Sequence, residues 1–111
     1  MRLTYHLVSA DTWAEADPDR PYEAASLATE GFIHCTDGMD ELVATANRHY
    51  DADPRPFLIL TVDLDEAGSQ WRIDDPGQIY PHVFGSIDRR AILRAIAAPR
   101  GGGGEFVAFE A

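Results

Sequence analysis

The sequence predicts one α+β domain spanning residues 1–111, and three observations carry that expectation. Strand-like and helix-like segments interchange through the first half, in the order strand, helix, strand, helix, strand. MDELVATANRHY at 39–50 has the apolar spacing of an amphipathic helix, and FLILTVDL at 57–64 is a continuous apolar run the length of a buried central strand. Beyond it the pattern is mostly strand, so the helices should cover the first half of the sheet. A chain of 111 residues leaves no room for a second domain.

Taken in order, RLTYHLV (2–8) alternates as a strand, with Leu3, Tyr5 and Leu7 on one face and Thr4, His6 and Val8 on the other. Ser9 is placed to cap a short helix over 10–16, anchored in the core by Trp13 and stopped by Pro18. DPDRP (17–21) reads as a turn. In SLATEG, Ser26 is expected to cap a single helical turn that Gly31 terminates. FIHCT (32–36) is the next strand, with Phe32, His34 and Thr36 on one face and Ile33 and Cys35 on the other, which makes Cys35 a small buried hydrophobe.

In the helix over 39–50, Met39, Leu42, Val43, Ala46 and Tyr50 form the apolar face, and His49 falls on the solvated side. DADPRP ends it. After the 57–64 strand, Asp63, Asp65 and Glu66 read as a solvated strand end, QWRI as a short strand and DDPG, with Asp74 and Asp75, as a turn. YPHVFGS (80–86) is constrained, because Pro81 fixes its own φ and Gly85 permits an unusual one. IDRRAILRAIAA fits either a helix or a turn followed by a strand. GGGG (101–104) is a loop, and FVAF (106–109) is expected to be a terminal edge strand.

All nine basic residues are Arg, scattered among 19 carboxylates, for a net charge of −10. That field repels phosphate backbones and anionic membranes, so neither nucleic acid nor membrane is an expected partner. No apolar run approaches the roughly 20 residues of a membrane span. The opening MRLTYHLVSADTW lacks the apolar stretch of a secretory signal, and the lone Cys35 excludes an internal disulfide; the expected compartment is the cytoplasm. GxGxxG, GxxxxGK[ST], GxSxG and HExxH do not occur, which removes the common nucleotide-loop, hydrolase and zincin signatures.

What remains is a set of histidines in strands or constrained segments: His6, His34 and His82. Each alone has a bland reading as a satisfied structural group, and their co-occurrence points to a site. Ser26 and Glu30 also have bland readings, as cap and surface carboxylate. Tyr22 and Tyr80, each beside a proline, have one as amphipathic covers.

The set YHL (5–7), Trp13, SLATEGFIHCT (26–36) and YPHVFGSI (80–87) resembles the small bacterial family called domain of unknown function 952, over nearly the whole chain. The resemblance implies a compact ADP-ribosyltransferase-like fold, a split and mostly antiparallel sheet with two or three short helices around a cleft that binds NAD. It implies that His6 is similar to the strand histidine with which ADP-ribosyltransferases of the diphtheria-toxin and RNA 2′-phosphotransferase types hold the nicotinamide-side ribose. His34 resembles the second-strand histidine of the phosphotransferase branch, and His82 is a further cleft candidate without a counterpart there. The catalytic set is thus His6, His34 and His82; the ligand-binding set is His6, Tyr22, Ser26, Glu30, Thr36 and Tyr80. Neutral imidazoles suit ribose hydroxyls or phosphate oxygens, and a carboxylate would face the positive charge that develops as a nicotinamide–ribose bond breaks. The late catalytic glutamate has no diagnostic match: Glu30, Glu105 and Glu110 are the candidates.

Three functions compete on these residues. The first is an ADP-ribosyltransferase-like domain binding NAD or a related nucleotide, with no metal expected. The second is a metal-binding protein or metal-dependent enzyme using His6, His34 and His82 with a carboxylate such as Glu30; the short HxH or HxxxH spacing of a strong metal signal is missing. The third is a non-catalytic interaction domain whose histidines are core hydrogen-bonding groups.

Overall fold

A computed structural model describes residues 1–110. Six strands form two three-stranded antiparallel half-sheets, one ordered β1-β3-β6 and the other β2-β5-β4. The strands are β1 Leu3–Ser9, β2 Ile33–His34, β3 Phe57–Asp63, β4 Trp71–Ile73, β5 Pro81–Val83 and β6 Ile92–Ala97. The helices are α1 Ala10–Glu15, α2 Ala25–Glu30 and α3 Met39–Tyr50.

The half-sheets meet at a seam between β1 and β2. A single bridge closes its end, where Tyr5 and Thr36 exchange backbone hydrogen bonds of 3.0 and 2.8 Å. Beyond that bridge the backbone ladder is replaced by side chains. The His6 imidazole reaches the His34 carbonyl, and the Arg2 guanidinium makes a two-pronged pair with Asp37, its Nη2 lying 2.6 Å from Oδ2. The architecture is therefore the expected α+β domain with a split antiparallel sheet.

β3 is central, paired with β1 on one edge and β6 on the other, and both its faces are covered, as its unbroken apolar run requires. Leu60 and Val62 join Val8, Tyr22, Ile33, Cys35, Val83 and Ile87 in the main core. Phe57 and Ile59 point the other way, to Leu42, Ala46, Phe106 and Phe109 under α3. α3 spans 39–50 as its periodicity requires, with Asp40 and Glu41 in the first turn and Arg48 and His49 in the last, matching the helix dipole at both ends. Ser9 caps α1, its hydroxyl accepting from the Thr12 N–H at 3.2 Å. Trp13 is half-buried against Tyr22, with Arg89 over its ring at 4.7 Å. IDRRAILRAIAA resolves into a 3₁₀ turn at Arg89–Ala91 followed by β6.

Four expectations are corrected. FVAF is not an edge strand: beyond one bridge between Arg100 and Phe106 it has no ladder. The Asn47 side chain supplies the ladder's bonds instead, accepting from Phe106 N–H at 2.7 Å and donating to Phe106 C=O at 3.0 Å. Ser26 is not a cap, because α2 begins one residue earlier, behind Ala24; its hydroxyl donates to the Phe32 carbonyl at 2.7 Å and closes the α2–β2 turn. Gly31 does end α2, at φ 89°. FIHCT is laddered only at Ile33–His34, since Thr36 has already crossed the seam to β1. Asp63 is buried rather than solvated: its carboxylate accepts from the backbone N–H groups of Arg2 and Asp65.

Candidate functional site

A cleft of about 830 Å³ opens along the seam. β1 supplies its floor, α3 one wall, and the α2–β2 turn with the start of β5 the other. All eight residues singled out from the sequence line it: His6, Tyr22, Ser26, Glu30, His34, Thr36, Tyr80 and His82. Neither Glu105 nor Glu110 does; Glu105 folds back over Gly101 and Gly103.

His6 and Tyr22 belong to the buried layer beneath the cleft. His6 Nδ1 lies 2.6 Å from the His34 carbonyl, and Nε2 lies 2.7 Å from the Tyr22 hydroxyl. A carbonyl only accepts, so Nδ1 carries the proton and Nε2 accepts from the phenol. Burial pulls the His6 pKa down from 6.5 to about 4, the bond to His34 only partly offsetting it, and the ring is neutral at pH 7. Burial likewise raises the Tyr22 phenol far above its usual value, with Cys35 adding to the effect. In this arrangement His6 presents no free nitrogen to a ligand. It ties β1, β2 and the Tyr22 segment together, the core role that the interaction-domain reading assigns to a histidine. The Cys35 thiol, pushed up to about 12 by burial and then by Asp37, is a packed hydrophobe as the strand alternation requires.

The accessible chemistry is on the next layer. Gly31, in the left-handed region, turns the chain so that Glu30 and His34 meet, Glu30 Oε2 accepting from His34 Nε2 at 2.9 Å. Both side chains are about half exposed. Nε2 donates to the carboxylate, and Nδ1 has no hydrogen-bond partner among the described residues. His82 sits directly opposite in the β2–β5 register, the two rings 5.6 Å apart. Phe32 stacks on His82 at 4.0 Å, and burial, then His34, lowers the His82 pKa.

Across the cleft, Tyr80 is held by the DDPG turn: the Asp75 carboxylate accepts from the backbone N–H groups of Ile79 and Tyr80 at 3.1 and 3.0 Å. The Tyr80 hydroxyl lies 3.0 Å from Thr45 Oγ1 and accepts from Arg48 at 3.5 Å. Those contacts, Arg48 first, lower its phenol pKa. Arg48, Thr45, Asp75 and Arg55 are cleft residues that sequence reasoning missed: helical periodicity marks the buried face of α3 and leaves Thr45 and Arg48 on its polar flank anonymous, while Arg55 and Asp75 lie in turns. His49, read as solvated, is exposed and lines the cleft as well.

Among the described residues no three His, Cys, Asp or Glu side chains are placed to hold a metal ion. Both nitrogens of His6 are already engaged, which removes the first of the three histidines that the metal reading needs. No helix among these residues is long and apolar enough to cross a membrane.

The fold is shared with protein CC0527 from Caulobacter crescentus. Its crystal structure matches with a TM-score of 0.76 at 20% identity, over 95% of this chain and 93% of that one. A double mutant of CC0527 gives the same values. Its solution NMR structure matches with a TM-score of 0.69 at 22% identity, over 94% of this chain and 90% of that one. No curated protein matches the chain. The model of the family described as protein of unknown function (DUF952) matches residues 7–95, and the chain belongs to that family.

Proposed function

We propose that this chain is an ADP-ribosyltransferase-like protein that binds NAD or a related nucleotide in the cleft along its seam, in the reducing compartment that a lone thiol suits. The observation that carries the reading is the convergence of the Glu30–His34 pair and of Tyr80 and His82, from two segments far apart in sequence, on one cleft. A volume of about 830 Å³ falls within the roughly 300–1,000 Å³ of small-molecule sites. The split antiparallel sheet is in keeping with the same reading.

In it, the His34 and His82 imidazoles and the Tyr80 hydroxyl hydrogen-bond ribose and phosphate oxygens. His6 positions His34 through its carbonyl and Tyr22 through its hydroxyl. Glu30 orients His34 and is the glutamate that faces positive charge developing on a ribose. Thr36 and Ser26 hold the two ends of the β2 segment. The test is NMR of imidazole-labelled protein titrated with NAD, ADP-ribose and nicotinamide. The His34 and His82 signals should shift and saturate with NAD or ADP-ribose; both staying unmoved through the millimolar range with all three would end the reading.

A further inference from the structure

We propose that Arg48, Tyr80 and Thr45 form a phosphate subsite at the α3 wall of the cleft, so that the ligand is a nucleotide held there by its phosphates. The inference rests on the reading of the cleft as a nucleotide site and adds to it which wall takes the anion. Of the two arginines lining the cleft, Arg55 is neutralised by Asp53, with Nη2 2.8 Å from Oδ2. Arg48 makes no ion pair among the described residues; its polar contact there is with the uncharged Tyr80 hydroxyl.

Of the carboxylates around it, Asp75 accepts from two backbone N–H groups, and Glu41, close enough to act on Tyr80, makes no ion pair with Arg48. The other cleft carboxylate, Glu30, is taken by His34. Arg48 is thus an exposed guanidinium whose charge the local structure leaves unneutralised, in a chain that carries −10 and repels anions elsewhere. Its planar fork suits two phosphate oxygens at once. Beside it, the Tyr80 and Thr45 hydroxyls lie 3.0 Å apart; one donates to the other, and the proton of the second is left to turn outward to a further oxygen. The last turn of α3 adds a weak negative potential behind the group, and the Arg48 side chain reaches across to Tyr80, the residue before β5. The imidazoles of His34 and His82 are left for the ribose end.

Calorimetric titration of the full chain and of Arg48→Gln and Tyr80→Phe tests this, with ADP-ribose, inorganic pyrophosphate and phosphate-free adenosine as probes. Arg48→Gln should weaken ADP-ribose and pyrophosphate by about tenfold or more and flatten the salt dependence of both. Tyr80→Phe should weaken them less, and adenosine should not respond to Arg48→Gln. Because Arg48 is exposed, its variant should melt with the parent, which separates lost binding from lost fold. ADP-ribose binding that Arg48→Gln leaves unchanged would overturn the subsite while the nucleotide reading stood. Pyrophosphate binding that needs Arg48, with ADP-ribose no tighter than pyrophosphate, would uphold the subsite and overturn the nucleotide reading; no binding of either probe to the parent would overturn both.

Discussion

Replacing His6 by Ala removes the one side chain that bonds across the seam and down to the core at once. Two buried groups lose their partner, the His34 carbonyl at 2.6 Å and the Tyr22 hydroxyl at 2.7 Å. Each orphaned group costs about 1–3 kcal/mol, and the vacated imidazole volume adds to that, so the expected loss is about 3–5 kcal/mol. In a domain of this size each kcal/mol lowers Tm by roughly 4–6 °C, which makes a fall of roughly 12–30 °C. Urea unfolding at pH 7 gives the free energy directly. The pH dependence gives a second, independent reading. The folded pKa of about 4 lies below the unfolded 6.5, so between these values the unfolded chain binds the proton that the folded ring refuses. Stability from the neutral ring is therefore complete above about pH 6.5 and is lost as pH falls toward 4, by about 3 kcal/mol in all. His6→Ala should flatten that limb. Tyr22→Phe should cost less in the His6→Ala background than in the parent, because the phenol it removes is already orphaned. A His6→Ala loss under 1 kcal/mol, an unchanged acid limb, or additive costs would each refute the reasoning.

Four further perturbations follow from the fold. Asn47→Ala should cost about 2 kcal/mol by removing both bonds to the Phe106 backbone, and hydrogen exchange should show the Phe106 amide losing protection before those of β3. Gly31→Ala meets no neighbouring atom but sits at φ 89°, so urea unfolding should report a cost of about 1–2 kcal/mol; Gly68→Ala, at φ 83° and against the Asp88 carboxylate, should cost more. Cys35, buried and with its thiol at about 12, should resist alkylation at pH 8 in the native chain and react at the rate of a free thiol in urea, as mass spectrometry would show.

Much of the fold was legible because burial imposes a period. α3 and β3 satisfy two-sided packing, and their residues show it as a helical apolar face and an unbroken apolar run. The alternation in 32–36 also put Cys35 in the core and His34 on the open face. What failed was decided by partners distant in sequence. FVAF alternates like a strand, yet the group waiting for its backbone is the Asn47 amide on α3, 59 residues earlier. Asp63 lies in an acidic run that looks solvated, and its burial depends on N–H groups at the start of the chain. The candidate site divides along the same line. The histidine motifs supplied its residue list, whereas the division of labour came only from geometry: His6 and Tyr22 in a satisfied buried layer, His34, Glu30 and His82 accessible above it. Arg48 and Thr45 carried no local signal at all, since exposed polar residues on a helix look alike until the opposite wall is in place.

The central claim, a nucleotide site along the seam, is tested most directly by a crystal structure of the chain grown with saturating ADP-ribose. The account predicts ligand density in the cleft, with ribose oxygens within hydrogen-bond distance of His34 or His82 and the phosphates against Arg48 and Tyr80. An empty cleft in well-ordered crystals, or a ligand bound elsewhere on the molecule, would contradict it.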